Sequence, residues 1–243
     1  MKAGKIILLW EEKQFHAGFC FMKEQLSTLE YQLPFLHPDE KKYYETLKFD
    51  RRKKSYLLGR IAAKRAICEL TGESALQSIS IEFGVFQYPV VKYLSDQNIQ
   101  VSISHCDDIG VALAFPEEHP LGIDIEKADE RKIDAMKSQI CEKEFELLSP
   151  YDLPVSPGYT MIWTIKEALS KVFRTGLTMD LKLLEIESLE KTGPAYTSAF
   201  RHCIQYKAIS FIAGDHICSV VLPKNTATDP ADLLGSLTAV LRL

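Results

Sequence analysis

The chain has 243 residues, 46% of them hydrophobic. That is enough to bury a sizeable core, either as one larger domain or as two halves of about 120 residues. The net charge of −4 argues against a general nucleic-acid binder, whose affinity would come from neutralising phosphates. No apolar run reaches the ~18 residues of a membrane span. The opening MKAGKIILLW meets Glu11 and Glu12 too soon for a signal peptide, and the six cysteines stand singly, with no C-x-x-C pair. A soluble, cytoplasmic, monomeric protein with reduced thiols is expected.

In chain order, Lys5–Trp10 predicts a strand, while the stretch from Phe15 gives no clear period. His37-Pro38-Asp39-Glu40 marks a helix start, with proline at the first helical position and acids in the first turn. A longer helix is predicted from Arg51 to Leu70, capped by Asp50 and stopped by Gly72. Short strands follow at Ser80–Phe83, Gln100–Ser104 and Ile109–Phe115, and Pro116–Pro120 forms a joint. Beyond it the pattern predicts a strand at Leu121–Glu126, helical stretches over Ile133–Leu148 and a proline-rich loop at Ser149–Gly158. A helix comes next, then strands near Leu183–Leu189, Gln205–Ile212 and His216–Leu222. The last segment, Asp229–Leu243, has Leu233, Leu237 and Leu241 at helical spacing. No internal repeat is visible residue by residue, and the mixture reads as α+β.

Two segments carry the chemistry. GIDIEK, Gly122 to Lys127, places Asp124 and Glu126 on one face if it is a strand. WTIKEALSK, Trp163 to Lys171, places Glu167 and Lys171 on one face of a helix. Three carboxylates and a lysine suit a hard divalent ion holding a phosphorylated substrate. The plain reading is a solvated strand edge and a helix surface pair worth roughly 0.2–0.5 kcal/mol. A metal-dependent nuclease and a non-enzymatic carrier-binding protein are the alternatives. Lys41 and Lys42 in the early helix, and Lys53, Arg60 and Lys64 along one stripe of the next, are read first as solvated faces.

GIDIEK followed by W-T-x-K-E-A-x-x-K resembles the signature of the Sfp-type 4'-phosphopantetheinyl transferases, with Trp163, Thr164, Lys166, Glu167, Ala168 and Lys171 all matching. SISH, Ser102 to His105, and L-L-G-R, Leu57 to Arg60, resemble further segments of that family. There are two departures: Ser102 stands where the family usually has asparagine, and Gln87-Tyr88-Pro89 where it has Gly-Lys-Pro.

The resemblance implies two similar α+β halves, 1–118 binding coenzyme A and 119–243 carrying the metal site and the carrier docking surface, with the active site in the cleft between them. It implies Mg²⁺ on Asp124, Glu126 and Glu167, and coenzyme A held by Lys41 or Lys42, Ser104, His105 and Lys171. The phosphopantetheine arm would pass to a serine of an acyl, polyketide or peptidyl carrier protein, releasing 3',5'-ADP. Glu167 or a metal-bound water would be the base, and Lys171 would stabilise charge on the transferring group. Arg60 is expected to be structural, with Gly59 permitting close packing. Lys166 is the weaker lysine, turned about 100° from its neighbour. Glu144 matches an acidic family position but is expected to be solvated, and the proline-rich loop is a candidate docking surface.

Overall fold

Strand β1 (Lys2–Trp10) pairs antiparallel with β2 (Lys13–Lys23), Ile6 lying opposite Ala17. β2 is the stretch whose sequence gave no clear period. Residues 17–22 are all buried, so both faces are apolar and the alternation that betrays a half-buried strand is absent. The hairpin turn also lacks a glycine, because Glu11 itself takes the left-handed conformation at φ 54°. The first sheet runs in the order β12-β1-β2-β6-β5, where β5 is Ile99–Cys106, β6 is Ile109–Pro116 and β12 is Thr226–Ala227. Strands β3 (Ser80–Phe83) and β4 (Pro89–Lys92) form a separate pair.

In this computed structural model, residues 1–92 and 98–242 are described, and they fall into two units, each with its own apolar core. The first unit is Met1–Pro120 with Ala227–Leu243, and the second is Leu121–Thr226. The segment after residue 226, expected within the second half, therefore belongs to the first. Its helix packs against β1 and β2, and Thr228 Oγ1 donates to Ile7 O at 2.9 Å. No helix among the described residues is long and apolar enough to cross a membrane.

The helices of the first unit are α1 (Leu26–Glu30), α2 (Pro38–Thr46) and α3 (Asp50–Thr71). α2 opens as predicted. The His37 ring accepts from Asp39 N–H, while Glu40 reaches back to the His37 N–H at 2.9 Å. α3 ends at Gly72 with φ 80°, but its cap position is Phe49, and Asp50 lies inside the first turn, where a carboxylate favours the positive end of the helix dipole.

In the second unit the predicted helical stretch breaks into α4 (Ile133–Lys137) and α5 (Glu142–Glu146). The proline-rich loop is also shorter than expected. Residues 149–151 form a 3-10 turn, and α6 (Val155–Val172) begins directly after Pro154. Proline is tolerated at a helix start because those N–H groups have no helical acceptor. The second sheet runs β7-β11-β10-β9-β8, with β7 at Gly122–Lys127, β8 at Ile186–Thr192 and β9 at Ala195–Phe200. β10 is Tyr206–Ala213, β11 is His216–Pro223, and α7 (Ala231–Leu241) follows them.

The two units repeat one local plan that the residues hide. Gly18 in β2 lies so close to α3 that an added Cβ would stand 1.9 Å from Ala66 O; at Gly122 in β7 the same atom would stand 2.0 Å from Ala168 O of α6. No side chain fits at either crossing. Each unit also buries a glutamate–lysine pair that ties a short helix to the long one. Glu40 meets Lys64 at 2.8 Å, and Glu144 meets Lys166 at 2.6 Å. Each glutamate then accepts a strand N–H at 2.9 Å, from Ile81 and Ile186 respectively. Buried charges persist only when paired and hydrogen-bonded, and both pairs meet that condition.

Candidate active site

Strand β7 is buried at Gly122, Ile123, Asp124 and Ile125. Its period of two turns Gly122, Asp124 and Glu126 to one side, and the crowding of Gly122 against Ala168 identifies that side as the one under α6. From α6, Lys171 Nζ donates to Asp124 Oδ1 at 2.7 Å and to Ile123 O at 2.9 Å. Lys171 is thus the counterion of a β7 carboxylate and not a surface partner of Glu167. Glu126 pairs with Lys132 at 2.7 Å.

Glu167 has a different environment. Its Oε1 is buried and has no hydrogen-bond partner among the described residues. Burial first, and then the negative charges of Asp124 and Glu126, push its carboxyl up to about 7, with Lys171 opposing. Glu126 is also raised, by burial first and by Asp124 in addition, against the pull of Lys132. Three carboxylates that repel one another, with two lysines paired to them and one Glu167 oxygen unsatisfied, form a donor set with more negative than positive charge.

A pH dependence follows. The unfolded chain releases the Glu167 proton near the ordinary value of 4.5 and the folded chain near 7. The folded state therefore holds the proton more tightly, and this contribution to stability is full below 4.5 and lost as pH rises through 7. In chelator, Glu167→Gln is expected to match the wild-type melting temperature near pH 4 and to exceed it near pH 8. Parallel melting curves across that range check it; a constant difference at all pH values would place the Glu167 charge outside this cluster.

The residues around Glu167 hold α6 in place. Thr164 Oγ1 donates to Met161 O at 3.0 Å, so it accepts from Ser219 at 2.8 Å, which in turn accepts from Ser210 at 2.8 Å. Lys166 is fully buried and donates to Glu144 and, at 3.2 Å, to Gln139 O. Ala168 is small where the β7 backbone crosses. The solvated Glu144 of the sequence reading is therefore wrong: it is 1% exposed, and it accepts from the Cys141 N–H at 2.7 Å as well. The signal was its capping-box position, three residues after the helix cap, as Glu40 is after His37.

In the first unit, Ser104 is buried near the end of β5, and His105 is exposed just before a turn in which Asp107 takes φ 53°. Lys41 is half-buried on α2, while Lys42 is exposed and pairs with Asp39 at 3.1 Å. Arg60 is structural as expected, set over the rings of Tyr56 and Phe83, and Gly59 approaches the Ile103 side chain closely. Lys64 was expected on a solvated face but is fully buried. It donates to Leu76 O at 2.9 Å and to Ile79 O, besides meeting Glu40. Its neighbours Ala62, Ala63, Ala66 and Ile67 make that part of α3 a core segment.

Residues 120–221, which contain Asp124, Glu126, Glu167 and Lys171, match the model of the 4'-phosphopantetheinyl transferase superfamily. Among solved structures, a holo-(acyl-carrier-protein) synthase from Bacillus anthracis str. Ames, in complex with CoA (3',5'-ADP), is similar at 20% identity and a TM-score of 0.36, over 45% of this chain and 96% of its own. The holo-[acyl-carrier-protein] synthase of Thermotoga maritima is similar at 23% identity and a TM-score of 0.34, over 46% of this chain and 70% of its own. No curated protein matches the chain. In this segment the W-T-x-K-E-A-x-x-K residues divide by task. Thr164, Lys166 and Ala168 pack the helix, and Glu167 and Lys171 face the β7 carboxylates.

Proposed function

We propose that the chain is a magnesium-dependent phosphopantetheinyl transferase of the Sfp type, acting on coenzyme A and on an acyl, polyketide or peptidyl carrier protein. The observation that carries this reading is the carboxylate set of the transferase segment, with Glu167 Oε1 buried and unsatisfied beside Asp124 and Glu126. Hard oxygen donors of this kind suit Mg²⁺, and Asp124, Glu126 and Glu167 would hold it. When bound, the ion supplies positive charge to the pyrophosphate of coenzyme A.

The remaining chemistry falls to side chains of the chain and to the substrates. The carrier serine oxygen forms a bond to the β-phosphorus, the bond from that phosphorus to the bridging oxygen breaks, and 3',5'-ADP leaves with the electron pair. The serine proton must pass to a base, and Glu167 is the candidate among the carboxylates of this set. The Lys171 ammonium, hydrogen-bonded to Asp124 at 2.7 Å, would meet charge developing on the phosphoryl oxygens or the leaving group.

Mass spectrometry of apo carrier proteins incubated with the chain, coenzyme A and Mg²⁺ tests the activity. A phosphopantetheine increment on the carrier serine is the expected result. Unmodified fatty-acid, polyketide and peptide carriers would sink the reading.

Ser104, His105 and the Lys41/Lys42 pair are proposed to meet coenzyme A, with His105 and the lysines on its 3'-phosphate. His105→Ala and the double change Lys41→Ala/Lys42→Ala are then expected to weaken coenzyme A more than dephospho-coenzyme A. A lost charge-assisted hydrogen bond costs roughly 1.5–3 kcal/mol, or about ten- to a hundredfold in affinity. Titration calorimetry with both ligands decides, and equal losses would mean that these residues do not read the 3'-phosphate.

A further inference from the structure

We infer that Glu144 and Lys166 are positioning residues: as a buried pair they fix the rotation of α6 about its axis and thereby aim the adjacent Glu167 toward Asp124. The inference rests on the ion-binding reading above and names two residues that would act on it without touching ion or substrate.

The geometry is specific. Glu144 ties together three elements. One oxygen accepts from Ile186 N–H in β8; the other accepts from the Cys141 N–H at the start of α5 and from Lys166 in α6. Lys166 is fully buried, and its partners, Glu144 and Gln139 O, lie in the second unit itself. Thr164 on Ser219 and Ala168 on Gly122 hold the same helix two residues before and after it. A helix with its side chains has a radius of ~5–6 Å, so a rotation of about 20° would carry a side-chain tip about 2 Å. A Mg²⁺ shell is only ~2.0–2.1 Å in radius, so that movement takes an oxygen out of it.

The first unit supplies a matched control. Glu40 and Lys64 make the same kind of pair, but Lys64 is followed by Arg65 where Lys166 is followed by Glu167. The β2 positions two and four beyond Gly18 are Cys20 and Met22, where β7 has Asp124 and Glu126 beyond Gly122. The twin pair holds the same scaffold with no carboxylate to aim.

The test is Mg²⁺ titration calorimetry on the full chain, without coenzyme A or carrier, for wild type, Asp124→Asn, Glu144→Met/Lys166→Met and Glu40→Met/Lys64→Met. Replacing a buried pair by apolar residues of similar volume is often neutral or stabilising, so both double variants should fold. Glu144→Met/Lys166→Met is expected to bind Mg²⁺ about tenfold or more weakly, as changes behind metal ligands do. Glu40→Met/Lys64→Met is expected to bind as wild type does. If Glu144→Met/Lys166→Met fails to fold, Glu144→Gln, which keeps an acceptor for the Ile186 N–H, is measured in its place with the same expectation. Wild-type Mg²⁺ affinity in a folded Glu144 variant, or an equal loss in the Glu40/Lys64 variant, would reduce the pair to a fold element. Undiminished binding in Asp124→Asn would instead remove the ion site itself, and this inference with it.

Discussion

Asp124→Asn is expected to leave a folded protein whose transfer of phosphopantetheine is slower by about a hundredfold or more. The substitution keeps the shape of a side chain that is 5% exposed and keeps an acceptor for Lys171, so the strand under α6 should stay in place. What it removes is one negative charge from a set of three, and ligand losses at metal sites are large because the ion's charge is no longer matched. Two readouts separate chemistry from folding. Thermal unfolding in chelator should be close to wild type, and the concentration of Mg²⁺ needed for half-maximal transfer should rise steeply. Glu126→Ala should be milder, because water can take one ligand place on Mg²⁺. Near-wild-type transfer by Asp124→Asn at limiting Mg²⁺ would move the ion elsewhere.

Lys171→Met is expected to have two effects that Mg²⁺ pulls apart. Without the ion, losing the bonds to Asp124 and Ile123 O leaves a buried carboxylate without its cation, a loss of about 1.5–3 kcal/mol for a hydrogen bond to a charged group. Saturating Mg²⁺ should restore part of that stability by supplying the missing charge. Single-turnover transfer at saturating coenzyme A and carrier should remain slower by about a hundredfold or more, because the contact to the transferring group is gone. A variant that recovers both stability and turnover in Mg²⁺ would make Lys171 a counterion only.

Much of this was legible in the sequence, and the reasons differ from residue to residue. Asp124 and Glu126 could be placed on one face because a strand has a period of two, and Glu167 and Lys171 on another because a helix brings i and i+4 together. Periodicity names faces, however, and not partners, so the bond from Lys171 to Asp124 could not be read from it. Lys64 and Glu144 were misjudged because a charged residue is ordinarily solvated. Only the fold supplies each with a buried opposite charge. β2 escaped because it is apolar on both faces, and the recurrence of the two units escaped because it survives in a glycine, an alanine and a glutamate–lysine pair and almost nowhere else.

The second unit is an uninterrupted stretch of chain, whereas the first is closed by α7, which follows it. During synthesis, residues 121–226 are therefore complete while the first unit still lacks its last helix. The flank of β1 and β2 that α7 covers stays uncovered until residues 231–241 have followed the second unit. The unit that carries the carboxylates can settle early, and the first unit must wait for α7, so its apolar strands face the longer exposure to wrong partners on the ribosome.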